Sequence, residues 1–136
     1  MHRNTVRVSD ALKAAGFAAD IRELPDSAAT SADAAAALGV PPAQIAKSLV
    51  FVAGDQPILV VLRGSDRLDT QRLAAHLGVP KVRRADADVV RAATGFPIGG
   101  VSPVGHATPL RVLVDTAVAD EPVVWAAAGT PHAVYA

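Results

Sequence analysis

Cysteine is absent from this chain, which excludes a disulfide framework, a thiolate nucleophile and a zinc site of the thiolate kind. Aromatic residues make up only 4%, too few for the stacking platforms on which single-strand binders lay successive bases. A surplus of positive charge is missing as well. The 13 basic residues balance the 13 acidic ones, so the chain is not one that grips long stretches of nucleic-acid backbone by electrostatics alone. A short contact with one nucleic-acid end stays open. No window reaches membrane-spanning length without Gly, Pro or charge, and the opening MHRNTVRVSDALKAAG lacks the apolar stretch of a secretory signal. The expectation is a cytoplasmic protein with neither membrane nor DNA as a partner. His2, His76, His106 and His132 fall at no helical or hairpin spacing that would make a metal site, so neither a metal nor a cofactor is expected.

What is present is apolar mass. Hydrophobic residues are 51% of the 136 positions and charged residues 19%, enough buried surface to offset chain entropy. The length fits one domain, taken as residues 1–136.

Local signals give an alternation of helices and strands. Ser9 is read as the cap of a first helix through Leu12 and Ala15, stopped at Gly16, with a strand over Phe17 to Leu24. Ser31 is read as the cap of an alanine-rich helix through Leu38, closed by Gly39 and kept from continuing by Pro41 and Pro42. After a single turn around Gln44, two apolar runs, Ala46 to Ala53 and Ile58 to Leu62, flank the short segment GDQP and predict an antiparallel hairpin. Asp69 and Asp86 are caps for two further helices ending near Gly78 and Gly95, with a short edge strand over Lys81 to Arg84 between them. Strands are expected at Leu110 to Val114, Val123 to Ala127 and Ala133 to Tyr135, their short connections pointing to antiparallel neighbours. The fold class is α+β with a mixed sheet.

The segment TGFPIGGVSPVGH, Thr94 to His106, holds four glycines and two prolines and cannot form a regular helix or central strand. Phe96, Ile98, Val101 and Val104 argue that it is ordered, since a solvated linker would carry polar side chains there. Two readings are open. The glycines serve turns in a tight connection, or they let backbone N–H groups approach a ligand and hold an anionic or carbonyl oxygen. Lys47 begins an otherwise buried strand. It either extends its ammonium to solvent over apolar stem carbons or, if close to the glycine loop, binds a phosphate or the ester end of a substrate. His106 can serve as a structural hydrogen-bonding group or a proton shuttle. Ser102 precedes proline with no nucleophile elbow around it, so serine nucleophile chemistry is not expected.

AKSLVF at 46 to 51, RLDTQRLAAHLG at 67 to 78 and TGFPIGGVSPVGH at 94 to 106 occur in this order and spacing. Together they resemble the YbaK and prolyl-tRNA synthetase editing-domain family, from Ala11 to the closing strands. The resemblance implies a mixed, mostly antiparallel sheet, partly closed as a barrel, with flanking helices. It also implies hydrolysis of the ester between a wrong amino acid and tRNA, here by a free-standing deacylase acting on tRNA for proline. Matched by motif, Lys47 is the family's strand lysine, and Gly99 and Pro103 are the ends of its glycine-x-x-x-proline loop, with Gly100, Val101 and Ser102 between them. His106 matches a histidine found after that loop in some branches. Thr30, Ser31, Phe51 and Gly105 are the candidate substrate-binding positions. Family members usually continue past the position of Ala136 with a further short segment.

An aminoacyl ester is an activated carbonyl, so positioning, a held water and stabilisation of oxyanion charge suffice without a protein nucleophile. The expected roles are backbone N–H groups of Gly99 to Ser102 orienting the ester, Lys47 anchoring the terminal nucleotide, and water attacking with help from the ribose hydroxyl. The expected partners are the acceptor end of a mischarged tRNA and, to present it, prolyl-tRNA synthetase or an elongation factor; the chain itself is expected to be a monomer or weak dimer. Two other classes stay open: a non-catalytic module that docks on tRNA or a synthetase, since fold does not fix function, and a small-molecule protein using the loop for phosphate.

Overall fold

The structure is a computed structural model that describes all residues, 1–136. Its elements, in chain order, are α1 (Arg3–Ala14), β1 (Ile21–Glu23), α2 (Ser31–Leu38), a 3-10 turn (Pro42–Gln44), β2 (Ile45–Ala53), β3 (Gln56–Arg63), α3 (Thr70–Leu77), β4 (Val82–Arg84), α4 (Ala87–Thr94), β5 (Arg111–Val114), α5 (Thr116–Asp120), β6 (Trp125–Ala127) and β7 (Ala133–Tyr135). The seven strands form one sheet in the order β1-β7-β6-β2-β3-β5, with β4 pairing β2 off that path. Four of the pairings are antiparallel, and two, β2 with β6 and β3 with β5, are parallel. The fold is therefore α+β with a mixed, mostly antiparallel sheet. The path ends on β1 and β5, which do not pair, so the curl stops short of a closed barrel.

The hairpin β2–β3 is the spine. It pairs Ala46 with Arg63 through Ala53 with Gln56. Alternate residues serve opposite faces. Ala46, Val50, Val52, Leu59 and Val61 join the larger core with Val8, Leu12, Val90 and Phe96; Phe51, Ala53, Ile58, Val60 and Leu62 pack against Ala74 and Val82 on the other face. Burial on both faces is why these two strands read as nearly unbroken apolar runs. A third, smaller cluster of Ala28, Ala34, Ala35 and Ile45 seats α2 beside the start of β2.

Four expectations are corrected. The first helix begins at Arg3, capped by the His2 side chain accepting from the Asn4 amide, and Ser9 lies inside it. Its buried stripe is Thr5, Val8 and Leu12, which starts four residues before Ser9 and includes a polar residue. The strand expected over Phe17 to Leu24 shrinks to Ile21–Glu23, because its partner β7 offers only Ala133 to Tyr135. Thr30, not Ser31, caps α2, its hydroxyl accepting from the Asp33 amide. The strands β5 and β6 are not neighbours. The helix α5, capped by Asp115, intervenes and carries the chain from the β3 edge to the far side of β2.

Candidate active site

A cavity of about 380 Å³ opens where β2 loses its neighbours. On that side β2 pairs with β6 only at Ile45 and Ala46, and with β4 only from Phe51 to Ala53. Lys47, Ser48 and Leu49 have no strand beside them there. The Ile45 carbonyl accepts from Gly64 on the β3 side, and the Val50 carbonyl accepts from Ala85 on the β4 side. Alternation along the strand then turns the main-chain N–H and C=O of Ser48 toward the opening. The Ser48 hydroxyl is buried without a hydrogen-bond partner, and Ser48 lines the cavity. Sequence reasoning passed over Ser48; its signal was a hydroxyl next to Lys47 in a strand whose other residues are apolar.

The other walls come from three directions. Ala28, Ala29, Thr30 and Ser31 enter from the start of α2; Trp125, Ala126 and Ala127 from β6; and Ile98, Gly99 and Val101 from the glycine loop. Most walls are apolar and small, and the volume lies in the range of small-ligand pockets.

The loop is held by main-chain geometry. Gly100 donates to the Pro97 carbonyl at 3.0 Å, closing a turn in which Gly99 has φ of +88°, the left-handed region. A Cβ on Gly99 would stand 2.8 Å from the Ala29 Cβ, and one on Gly100 would stand 2.8 Å from main-chain atoms of Thr130. The loop is thus wedged between the segment before α2 and the β6–β7 turn. The Gly100 amide is consumed by the turn, which corrects the expectation that every amide from 99 to 102 faces a substrate. The amides of Gly99, Val101 and Ser102 have no acceptor within the chain. Those of Gly99 and Val101 belong to cavity-lining residues.

Lys47 reaches the same cavity and is tethered. Its ammonium donates to the main-chain carbonyl of Asp66, whose carboxylate pairs with the Arg63 guanidinium at 2.7 Å; Arg63 also meets Glu121 at 3.2 Å. Burial lowers the Lys47 pKa; Asp66 opposes this, while Arg84 and Arg67 add to it. Hydrogen bonding to Arg63 holds the Asp66 carboxyl below the usual carboxylate range.

Of the sequence candidates, Lys47, Gly99, Val101, Thr30 and Ser31 line this cavity, and Phe51 lines a second hollow beside it. Gly100, Ser102, Pro103, Gly105 and His106 line neither. Ser102 is fully buried, with its hydroxyl accepting from the Val104 amide at 3.2 Å. The His106 ring closes the loop through a 2.8 Å bond between Nε2 and the Ser102 carbonyl and packs edge-on to Phe96, with centroids 6.3 Å apart. Burial lowers the His106 pKa, opposed by the bond to Ser102 and assisted by the nearby Arg7 charge. The neutral ring therefore carries its proton on Nε2, since a carbonyl can only accept. Gly105 lies against the Arg7 carbonyl in α1. These residues brace the loop from behind. No group of three or more His, Cys, Asp or Glu is arranged to hold a metal ion, and no helix is long and apolar enough to cross a membrane.

Residues 25–135 match the aminoacyl-tRNA editing domain family, a span that takes in every wall of the cavity. The chain belongs to that family. Within the editing domains it is similar to a segment of proline--tRNA ligase from Geobacter sp. (strain M21), 41% identical over 83 residues, which are 61% of this chain and 14% of the ligase. The ligase from Nitratidesulfovibrio vulgaris (strain Hildenborough) is 37% identical over 100 residues, 73% of this chain and 17% of that protein. The chain thus spans less than a fifth of the curated relatives it matches. A solved structure described as a candidate trans-editing enzyme for prolyl tRNA synthetase superposes with a TM-score of 0.91 at 43% identity, covering 99% of this chain and 86% of that one. Membership of this family connects the chain with aminoacyl-tRNA editing and, through it, with translation.

Proposed function

We propose that this chain is a trans-editing deacylase that hydrolyses the ester of a mischarged tRNA for proline carrying a small wrong amino acid such as alanine, cysteine, serine or threonine. The observation that carries the reading is the meeting of Lys47 with Gly99 and Val101 on one cavity, both of them loop residues whose amides are unengaged. The ester carbonyl oxygen accepts from those amides, and the Lys47 ammonium anchors the terminal nucleotide. Water adds to the carbonyl carbon and gives up a proton by way of the neighbouring ribose hydroxyl. The tetrahedral centre then collapses, the bond to the ribose oxygen breaks, that oxygen takes the proton, and free amino acid and tRNA depart. Backbone donors fixed before the reaction stabilise the developing oxyanion without reorganising, which is where the rate enhancement arises. The small, mostly apolar walls suit small side chains, and such walls separate neighbours differing by one methylene by about 1–3 kcal/mol. The working setting is the cytoplasm, with prolyl-tRNA synthetase or an elongation factor presenting the substrate to a monomer or weak dimer.

The test is a deacylation panel of tRNA-Pro and tRNA-Ala, each charged with several small amino acids, at enzyme far below substrate. Multiple turnovers on at least one mischarged tRNA-Pro, with proline itself spared, are expected. Lys47→Ala should lose about a hundredfold in rate, on the order of 3 kcal/mol in the barrier. Stoichiometric binding without release would replace the enzyme with a docking module, and full activity in Lys47→Ala would remove the lysine from the scheme.

A further inference from the structure

Beside the cavity lies a second, shallower hollow of about 550 Å³ that shares Lys47, Leu49 and Arg84 with it. Its floor is apolar, formed with Phe51, Leu68 and Val82, and its rim is cationic, formed by Lys47, Arg67, Arg83 and Arg84. No acidic residue lines it. The chain has only two ion pairs, both made by Arg63, so none of these four cations is neutralised by a carboxylate. Arg67, Arg83 and Arg84 are exposed. Two elements hold these charges in place: β4, pinned to β2 at Phe51 to Ala53, and the 64–68 turn, pinned by the Arg63–Asp66 pair. The Arg84 guanidinium stands over the Phe51 ring at 5.9 Å, a planar cation at the junction of the two hollows. In a chain of balanced charge, this concentration of four unpaired cations on one rim is a local field for a polyanion.

We propose that this hollow is a track for the phosphates of the single-stranded nucleotides preceding the terminal adenosine of the tRNA, continuing outward from the cavity that takes the ester. The inference rests on the deacylase reading above. It adds Arg67 and Arg83 as binding residues and gives the strand a direction, from Lys47 across Arg84 to β4 and the 64–68 turn. Spaced guanidinium groups suit successive phosphates. The short track also accounts for a chain of zero net charge acting on a polyanion: the grip is concentrated at the end being processed.

The test compares wild type with Arg67→Ala/Arg83→Ala by fluorescence anisotropy on an uncharged acceptor-stem RNA hairpin with its single-stranded 3′ end, over a series of salt concentrations. Both positions are exposed, and equal melting temperatures establish that the variant folds. The expected result is binding weakened roughly tenfold, with the slope of log K against log salt reduced by about 1.4, since each single-strand phosphate contact contributes about 0.7. On adenosine bearing a non-hydrolysable aminoacyl group, which has no upstream phosphate, the two proteins are expected to bind alike. Equal affinity and equal slope on the hairpin would overturn the track, as would an equal loss on the phosphate-free ligand, or tight binding of an acidic peptide with none of the RNA. The deacylase reading fails separately: wild type that releases no amino acid from any mischarged tRNA sinks that reading, whereas normal turnover with an unchanged KM and salt slope in the double variant sinks the track alone.

Discussion

Lys47 and Asp66 are joined through the backbone: the lysine ammonium donates to the aspartate's main-chain carbonyl, leaving the aspartate side chain free to grip Arg63. The lysine is therefore positioned by a turn, and the turn by an ion pair. Asp66→Ala keeps the carbonyl but frees the turn, so deacylation should fall several-fold, far less than in Lys47→Ala. Arg63→Ala should match it, and the double variant should be no worse than either single one, because both remove the same restraint. Steady-state kcat/KM for the four proteins checks this; additive losses would mean that the pair does not act through Lys47.

The two glycines should respond differently to alanine. Gly99→Ala places a side chain at φ of +88° and its Cβ 2.8 Å from that of Ala29. The left-handed backbone costs about 1–2 kcal/mol, and the clash adds to it. Ala29→Gly in the same chain should relieve part of the clash, since the Ala29 Cα still stands 3.1 Å away, and none of the backbone cost. Gly100→Ala meets main-chain atoms of Thr130 at 2.8 Å, where no side chain can be trimmed, and should destabilise more. Urea unfolding of the variants gives the ranking.

A pH effect on stability should trace to His106. Its pKa is lowered in the fold, first by burial, so the native state favours the neutral ring and the unfolded chain binds the proton more readily. The stabilisation from the neutral ring is complete above the ordinary histidine value of ~6.5 and is lost as pH falls through the lower folded value. His106→Gln should flatten that part of the profile. Thermal melts of both proteins across this range show it; identical profiles would mean that the ring titrates as freely folded as unfolded.

Behind the loop, Phe96 is fully buried and the Arg7 guanidinium covers its ring at 4.7 Å. Phe96→Ala should cost about 3–5 kcal/mol, the range for a large aromatic lost from a core. Arg7→Ala should cost less, and its effect should shrink in the Phe96→Ala background, because the ring it covers is already gone. Denaturant midpoints for the cycle decide this.

Much of this architecture was legible in the chain, and the reasons are local. Asp69 and Asp86 each precede a helix whose first amides they bond, so the caps at those two starts could be read from residue type and position. The hairpin was equally plain, because the apolar runs of β2 and β3 flank a short polar break. The start of α1 was hidden, since His2 is an uncommon cap and the first buried position of the helix is the polar Thr5. The extent of β1 was beyond local signals, because it is set by the length of a partner over a hundred residues away. The motif residues that pointed to the site divided once folded. Lys47, Gly99 and Val101 meet at the cavity, whereas Ser102 and His106 tie the loop down from its other side. Spacing alone could not separate them, for the two sides of a bent loop look alike in a linear string. The place of Arg84 opposite Phe51 was not legible, because it comes from the pairing of β4 with β2.

The mouth of the cavity is a vacancy in the sheet, created where β6 departs after Ala46 and β4 arrives only at Phe51. An aperture framed by absent ladder partners keeps its position when one lining side chain is exchanged for another. The entrance is accordingly decoupled from the lining: Ala46, Ala126 and Ala127 could be enlarged one at a time to reshape which residue is accommodated, while the doorway stays where strand lengths have put it.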